Sequence, residues 1–444
     1  MLDIKWIRDN REKVQEAADR KNIRLKVEDL LEADRVKRLL QQETEGLRQE
    51  RNRLSREIGR LLAGRVEGRA EEAESLAEEV KGQAGDDKAE EAKGRVGLIQ
   101  DKLNVLQPKL QDAERRFGQL MALVPNVVSP DTPDGESDED NVELRRVGEP
   151  PAFPFEEADH VTLGERLGLL DLARGVKTGG SRSYYLKGAG VLLHRAVQQL
   201  AVDRLAAKGF TLLEVPVMVR TEAMRNTGYF PLGEEQTYRL AEEDKWLAGT
   251  SEVPLVSYYA DEVVDLREPI RLAAVSACFR REVGSAGRDV HGLYRVHQFA
   301  KVEQVVLCEA DPALSERLLQ EITGHAEEIL QLLELPYRVM AVCAGDMAQK
   351  TYKQYDIETW MPNRGAYGET HSASNLHDFQ ARRSRIQYRG ADGKLHFCHT
   401  LNNTAVASPR ILIPLLEIHQ QEDGSVRIPD ALQPYMGGRK ELRA

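Results

Sequence analysis

The sequence predicts an α+β protein, with an antiparallel sheet flanked by helices and an N-terminal arm of two antiparallel helices. Three observations support this fold class. Residues 1 to about 120 are rich in Arg, Lys, Glu, Gln and Leu, whereas prolines, glycines and short β-branched runs begin near residue 125. Apolar residues repeat at heptad spacing in the first region, which predicts paired helices. Strand patterns joined mostly by loops, with helices between some of them, predict an antiparallel sheet in the second region.

The length and the change in texture predict separate domains. A single core rarely grows beyond roughly 250–300 residues, and the chain has 444. The stretch from Pro125 to Asp140 is acidic and rich in turn-forming residues, as is typical of a linker. We therefore expect a helical domain over 1–120, a linker over 121–145 and the main domain over 146–444.

Two heptad seams predict the arm. Their apolar positions are Leu40, Leu47, Leu54 and Leu61 in the first seam and Ile99, Leu103, Leu106, Leu110, Ala113, Phe117 and Leu120 in the second. Such spacing keeps one apolar stripe facing a partner helix. Glycines between residues 64 and 94 weaken a helix by about 1 kcal/mol each, so we expect the chain to reverse direction there.

Arginines cluster on the first arm helix. Arg53, Arg56 and Arg60 share one face, and Arg48 and Arg51 add to the cluster. One interpretation is a solvated face with Glu–Arg pairs. The other is a surface that binds phosphates, which would reconcile nucleic-acid binding with the formal net charge of −11.

The second region has clear local signals. A helix is expected from Val191 to Lys208, ended by Gly209, and a second helix from Pro312 to Leu333. Strands are expected over Phe210–Val219, Ala274–Arg281 and Gln298–Cys308. An apolar helix is expected over 410–420, with Arg410 in its first turn.

Composition also indicates where the protein works. No apolar run reaches the roughly 18 residues of a membrane span, and the first residues lack the apolar segment of a signal peptide. We therefore expect a cytoplasmic protein without a membrane segment. The four cysteines form no CxxC pair, which favours reduced core thiols over a zinc site.

Four short polar motifs stand out. They are Phe279-Arg280-Arg281-Glu282 before a glycine-containing loop, Ser408-Pro409-Arg410 before an apolar run, Thr250-Ser251-Glu252, and Glu369-Thr370-His371-Ser372. Taken alone, the first is equally compatible with an ordinary hairpin that carries surface salt bridges, and a capping or turn role is the better interpretation of each of the others. Arg410 beside an apolar segment needs a partner, and an anionic ligand is one choice.

Together these motifs resemble those of the class II aminoacyl-tRNA synthetases. The Arg280–Glu282 hairpin and the Arg410 segment are similar to motifs 2 and 3, and the run from Gly209 to Pro216 resembles motif 1, the dimer-forming element. The seryl branch is the most similar, in the loop Gly284–Asp289, the segment Arg295–Glu303, the N-terminal arm and Tyr435–Gly438. The resemblance implies a sheet of the class II type and covers nearly the whole chain.

The resemblance implies a serine–tRNA ligase activity. It implies ATP as substrate, Mg²⁺, L-serine, tRNA(Ser) with tRNA(Sec) as a further acceptor, and a homodimer. The implied catalytic arginines are Arg280, on the α-phosphate and the serine carboxylate, and Arg410, on the γ-phosphate. The arm arginines named above would contact tRNA.

Further site residues are implied in the same way. Glu282 would accept a hydrogen bond from the adenine amine, Phe299 would stack on the adenine ring, and Val296 would also contact ATP. Glu369 and Ser372 would hold magnesium and phosphate. The serine pocket would consist of Thr250, Ser251 and Glu252 around the α-ammonium group and of Glu303 and Thr404 around the hydroxyl.

Two departures from the family keep alternatives open. Gly368 and His291 stand where the family commonly has arginine. The first alternative is a paralogue that activates serine for an acceptor other than tRNA. The second is a nucleic-acid-binding protein without activity, although the presence of Arg280, Glu303 and Arg410 argues against it.

Overall fold

The computed structural model describes residues 2–68, 76–284 and 291–444, which form two compact units. One unit comprises residues 25–122, and the other comprises 1–24 together with 123–444. The N-terminal helices α1 and α2 therefore belong to the same unit as the main sheet. The functional division at residues 120 and 145 stays a prediction.

The helices of the described residues begin and end as follows: α1 (Ile4–Asp9), α2 (Arg11–Arg20), α3 (Val27–Gly68), α4 (Leu76–Leu123), α5 (His160–Arg166), α6 (Leu172–Gly179), α7 (Ala189–Ala207), α8 (Thr221–Asn226), α9 (Glu252–Ser257), α10 (Pro312–Leu332), α11 (Phe379–Ser384) and α12 (Leu412–Ile418). Within these residues, no helix is long and apolar enough to span a membrane.

The strands are β1 (Val142–Val147), β2 (Leu170–Asp171), β3 (Tyr185–Leu186), β4 (Thr211–Leu213), β5 (Met218–Arg220), β6 (Tyr238–Arg239), β7 (Lys245–Leu247), β8 (Val263–Val264), β9 (Ile270–Phe279), β10 (Gln298–Cys308), β11 (Tyr337–Ala341), β12 (Lys353–Met361), β13 (Ala366–Asn375), β14 (Gln387–Arg389), β15 (Leu395–Phe397), β16 (His399–Ser408), β17 (Val426–Arg427) and β18 (Glu441–Leu442).

The main sheet has eight strands in the order β1-β11-β12-β13-β16-β10-β9-β4. Neighbouring strands are antiparallel except for β4 and β9, which are parallel. Helices α7 and α10 bury apolar side chains against one face of this sheet, for example Leu193 and Ile322. The predicted α+β class with an antiparallel sheet is confirmed.

Side chains alternate between the two faces of β10, so only every second one is packed against α7 and α10. Val302 and Val306 are fully buried among the side chains that α7 and α10 contribute. Side chains at odd positions point to the opposite face because successive residues of a strand alternate. Phe299, Lys301 and Glu303 therefore share that opposite face.

The arm helices α3 and α4 pair in antiparallel fashion. Gln41 bonds to Glu114, Arg51 to Gln100 and Arg95 to Glu50, so ascending positions on α3 meet descending positions on α4. Leu54 packs with Ile99 and Leu103 at the predicted seams. The predicted two-helix arm is confirmed, but its point of reversal lies outside the described residues, and the helices extend into the glycine-containing stretch from both sides.

Two local predictions were wrong in detail. The strand expected over 210–219 is two strands, β4 and β5, because the intervening Pro216 has no N–H to contribute to a ladder. Arg410 does not lie in the first turn of α12, which begins at Leu412. It lies in the preceding turn, where Ile413 donates to the Arg410 carbonyl at 3.1 Å.

Candidate active site

A cleft with about 500 Å³ of empty space lies on the sheet face opposite α7 and α10. Strands β10, β13 and β16 and the segments after β9 and β16 supply most of its walls. It gathers eight of the residues singled out from the sequence: Arg280, Glu282, Val296, Phe299, Glu369, Ser372, Thr404 and Arg410. Residues separated by up to 130 positions therefore meet because their strands are neighbours.

A shift in strand pairing brings together Glu303 and Thr404, the two residues predicted to bind the hydroxyl group. The register between β10 and β16 changes between Val302 and Glu303, and Glu303 then lies opposite Thr404. Such irregularities redirect side chains and are frequent next to active sites. The Thr404 hydroxyl donates to Glu303 Oε2 at 3.2 Å.

Glu303 is a buried carboxylate with three donors around it. Besides Thr404, Lys301 Nζ lies 2.6 Å from Oε2, and Asn402 Nδ2 donates to Oε1 at 3.1 Å. A buried charge is costly unless it is paired and hydrogen-bonded, and here both conditions are met. Glu303 does not line the cleft directly and reaches it through Thr404 and Lys301.

Arg280 lies at the open side of the cleft, just after β9. Its Nε donates to the Gly249 carbonyl at 3.3 Å, and its guanidinium carbon lies 5.3 Å from the centre of the Phe299 ring. A guanidinium fork presents five N–H donors, which suits carboxylate and phosphate oxygens. An exposed guanidinium beside a planar aromatic ring is well placed to bind a nucleotide.

Glu282 has an unusual backbone. Its φ of 52° lies in the left-handed region, which costs a non-glycine residue energy and occurs often at ligand sites. The side chain is buried, and its carboxylate accepts from Arg295 Nη1 at 3.2 Å. Arg182 Nη1 donates to the Glu282 carbonyl at 2.6 Å. The turn is thus fixed from two sides, with the carboxylate at the cleft.

Two arginines lie close to the ring of Tyr294, which lines the cleft. Arg410 lies 4.4 Å and Arg364 lies 4.2 Å from its ring centre. Arg410 is also held through Nε to the Tyr294 carbonyl and through Nη1 to the Glu369 carbonyl, both at 3.0 Å. Arg410 lines the cleft and Arg364 lies against the Tyr294 ring, so the surroundings of Tyr294 are suited to a polyanion.

Gly368 makes room for this arrangement. A Cβ at that position would lie 3.1 Å from the Met361 thioether and 3.2 Å from the Tyr294 ring, so both would have to shift. Because residue 368 is glycine, the Tyr294 ring can lie against it. The guanidinium group next to this ring is that of Arg364. Arg364 was not singled out from the sequence.

The predicted magnesium residues, Glu369 and Ser372, lie beside a second carboxylate, that of Asp356. Asp356 is opposite Ser372 in the β12–β13 ladder, and Glu369 lies at the cleft rim. Burial and the negative charge of Glu369 raise the pKa of Asp356 well above its usual value. Carboxylate and hydroxyl oxygens are the ligands that Mg²⁺ prefers, and a divalent cation would offset this crowding of negative charge. The donor set therefore fits the ion.

Thr250, Ser251 and Glu252 are buried beside the cleft rather than in its lining. Glu252 accepts a hydrogen bond from Tyr229 at 2.5 Å and one from Gln380 at 2.7 Å, and it forms an ion pair with Lys350. Its backbone N–H donates to the Thr250 hydroxyl at 3.2 Å.

Sequence reasoning missed several residues of this site: Tyr229, Tyr294, Lys301, Lys350, Asp356, Arg364 and Gln380. A lysine and a glutamate two apart in one strand, Lys301 and Glu303, could have been noticed as a same-face pair. The other residues that were missed do not belong to any recognisable local sequence pattern.

The arm arginines occupy two kinds of position. Arg48, Arg53, Arg56 and Arg60 are exposed. Arg51 is half-buried and faces the partner helix, where Nη1 donates to Gln100 Oε1 at 3.1 Å. Four of the five predicted contacts are thus on the open surface of α3.

Two family models match the chain. The model described as "tRNA synthetase class II core domain (G, H, P, S and T)" matches residues 236–419, which include the cleft. The model described as "Seryl-tRNA synthetase N-terminal domain" matches residues 1–94.

Similar proteins match over nearly the full length. A serine–tRNA ligase of Deinococcus radiodurans is 45% identical, with 100% of this chain and 99% of the relative covered. One of Rubrobacter xylanophilus is 41% identical, with 98% of each covered. The crystal structure of seryl-tRNA synthetase from Pyrococcus horikoshii complexed with ATP has a TM-score of 0.82 and 37% identity, with 100% of this chain and 99% of that chain covered.

Proposed function

We infer the function from the premise that the chain belongs to the seryl-tRNA synthetase family. It is an ATP-dependent aminoacyl-tRNA ligase that activates L-serine as seryl-adenylate and transfers serine to tRNA. The observation that carries this conclusion is the single cleft that joins Arg280 and Arg410 to the Glu303–Thr404 pair. A site of this kind can bind the triphosphate of ATP and the side-chain hydroxyl of serine next to each other.

We propose that activation proceeds by in-line attack of the serine carboxylate on the α-phosphorus of ATP. A bond forms between carboxylate oxygen and phosphorus, and the bond to the departing pyrophosphate breaks. Arg280 is placed to neutralise charge on the α-phosphate and to orient the attacking carboxylate. Arg410, with Arg364 beside the same ring, is proposed to hold the outer phosphates.

We propose that Phe299 stacks on adenine, that Val296 contacts the nucleotide and that Glu282 accepts from the exocyclic amine. Glu369 and Ser372, with Asp356 beside them, would hold Mg²⁺ that arrives with ATP. When bound, the ion neutralises phosphate charge and orients the triphosphate.

Serine recognition is proposed to rest on the buried Glu303–Thr404 pair for the hydroxyl and on Thr250, Ser251 and Glu252 for the α-ammonium group. A pocket built to bond a hydroxyl disfavours alanine, because its buried polar groups are then left without a partner. Thr404 lines the cleft, and its hydroxyl donates to Glu303.

The acceptor is proposed to be tRNA(Ser), with tRNA(Sec) as a further substrate, and the arm is proposed to contact its backbone. We also propose a homodimer formed through the β4 edge of the sheet, where Leu212 exposes about half of its surface. A cytoplasmic location belongs to the same proposal, because tRNA and ATP are found there.

The decisive test is transfer of labelled serine to total tRNA by the purified protein. We expect acid-precipitable serine that depends on ATP and on tRNA. Formation of seryl-adenylate without transfer would favour a paralogue with another acceptor. Absence of both would contradict the ligase assignment.

A second test concerns the arm. Replacing Arg53, Arg56 and Arg60 together by alanine should weaken tRNA binding and lower the slope of log Kd against log salt by about 2–3, because about one phosphate contact is lost per arginine. Serine-dependent pyrophosphate exchange should be unchanged. Arg35→Ala is the control, since Arg35 on the same helix is already paired with Glu32. An unchanged salt slope in the triple variant would contradict a phosphate-binding role.

A further inference from the structure

An ion pair at the edge of the serine pocket is not explained by the reaction as described. Lys350 and Glu252 are both almost fully buried, with 8% and 2% of their side chains exposed, and they form an ion pair. Glu252 is the residue proposed to receive the α-ammonium group of serine. Its carboxylate is therefore already paired with a cation of the protein itself.

The position of Lys350 is fixed from several directions. Asn126 Nδ2 donates to the Lys350 carbonyl at 3.1 Å, and Lys21 Nζ donates to the neighbouring carbonyls of Ala348 and Gln349 at 3.3 and 3.2 Å. The Lys350 ammonium also lies 3.8 Å from the centre of the Tyr229 ring. The lysine is thus anchored at its backbone and packed at its tip.

The carboxylate retains capacity for one more donor. An ionised carboxylate has about four lone-pair positions. Within the described part of the chain, Glu252 Oε1 accepts from Lys350 and Gln380, and Oε2 accepts from Tyr229. One position on Oε2 is therefore left for an N–H of a ligand.

Other charged groups surround this pair. Arg280 at the end of β9, and Lys301 and Glu303 on β10, are close enough to act electrostatically on Lys350 or Tyr229. Lys301 is already paired with Glu303. Lys350 is therefore the cation that balances Glu252.

We propose that Lys350 is a positioning residue that keeps Glu252 ionised and oriented before serine binds, so that Glu252 accepts the α-ammonium group of serine without first losing a proton. The proposal rests on the proposed function, since it takes serine as the ligand. Lys350 need not contact the substrate, because the remaining lone pair on Oε2 is separate from the oxygen that Lys350 binds.

Electrostatics support this role. Burial alone would raise the pKa of Glu252, but the charge and hydrogen bond of Lys350, with the bonds from Tyr229 and Gln380, hold it below its usual value. Glu252 is therefore ionised throughout the neutral range in the native protein. Without Lys350, burial is opposed only by the two neutral donors and by more distant charges, and the pKa should rise above its usual value.

The test is the pH dependence of the KM for serine in pyrophosphate exchange, measured from pH 6 to 8.5 for the native protein and for Lys350→Met. The KM of the native protein should not change through titration of Glu252. In Lys350→Met, Glu252 must release a proton before it binds the ammonium group. The KM for serine should therefore rise about tenfold for each pH unit below the raised pKa and should recover as the pH increases.

Matched variants separate positioning from general damage. Lys353→Met removes another largely buried lysine, which pairs with Asp131 and Glu316 outside the cleft, and its serine profile should parallel that of the native protein. Lys350→Arg retains a cation and should restore a flat profile. If Lys350→Met does not fold, Lys350→Gln at the same pH values serves instead.

Two results would overturn the inference: a Lys350→Met or Lys350→Gln profile parallel to that of the native protein, or a Lys350→Arg profile as steep as that of Lys350→Met. If the native protein itself shows no serine-dependent exchange, the proposed function fails instead. The KM for ATP, which does not depend on Glu252, reports whether the remainder of the site is intact.

Discussion

The Arg280→Ala variant is expected to lose serine-dependent pyrophosphate exchange by about 10³-fold or more in kcat/KM. Removing one preorganised donor to transition-state charge typically costs about 10²–10³, and an arginine on a transferring phosphoryl group contributes about 10³–10⁵. Arg280 is proposed to act on both the α-phosphate and the attacking carboxylate, so both effects are lost together. The KM for ATP should change far less than kcat.

Arg281→Ala is the matched control for this experiment. Arg281 is the next residue and is exposed, and its backbone N–H donates to the Gln236 carbonyl, a bond that the substitution leaves in place. The same charge is removed from the same turn without touching the cleft. Comparable losses in the two variants would show that net charge, rather than the position of Arg280, determines the rate.

Glu303→Gln is expected to raise the KM for serine at least about 100-fold and to reduce discrimination against alanine. The native carboxylate accepts from Lys301 and Thr404 at one oxygen and from Asn402 at the other. An amide has only one accepting atom, so at least one of these donors must face an NH₂ group. The serine hydroxyl then meets a rearranged pocket in which Lys301 has lost its counter-ion.

Stability must be measured in parallel, because breaking a buried ion pair by removing one partner costs about 3–5 kcal/mol. The Tm of Glu303→Gln should therefore fall, while the KM for ATP should stay near the native value. Glu316→Gln removes a more exposed glutamate–lysine pair outside the cleft and is the control for the loss of a carboxylate, with a smaller expected change in Tm. A native KM for serine in a folded Glu303→Gln protein would exclude Glu303 from hydroxyl recognition.

Much of the fold was predictable because its signals are local. The heptad seams gave the arm, and the segment Gln298–Cys308 was predicted with the bounds that the structure has. Pro216 marks the interruption between β4 and β5, but the apolar pattern around it favoured one continuous strand. Arg410 was assigned to a helix because the apolar run after it begins immediately, whereas the turn after β16 delays the helix to Leu412.

The pairings within the site were not predictable from spacing. Lys350 and Glu252 are 98 positions apart, and Lys350 stands in an irregular segment without a periodic pattern. Arg364 lies beyond the end of β12 and reaches Tyr294 only because the loop that follows β12 returns to the cleft. Residues of this kind are brought together by topology, so they become visible only when the sheet order is known.

The proposed reaction requires one cavity that holds nucleotide and serine at the same time. A crystal structure of the protein with a seryl-adenylate analogue, in which a sulfamoyl group replaces the phosphate, tests this directly. We predict adenine against Phe299, the sulfamoyl group at Arg280 and the serine hydroxyl within hydrogen-bonding distance of Glu303 or Thr404. An analogue bound elsewhere, or with its hydroxyl turned away from both residues, would contradict the proposed site.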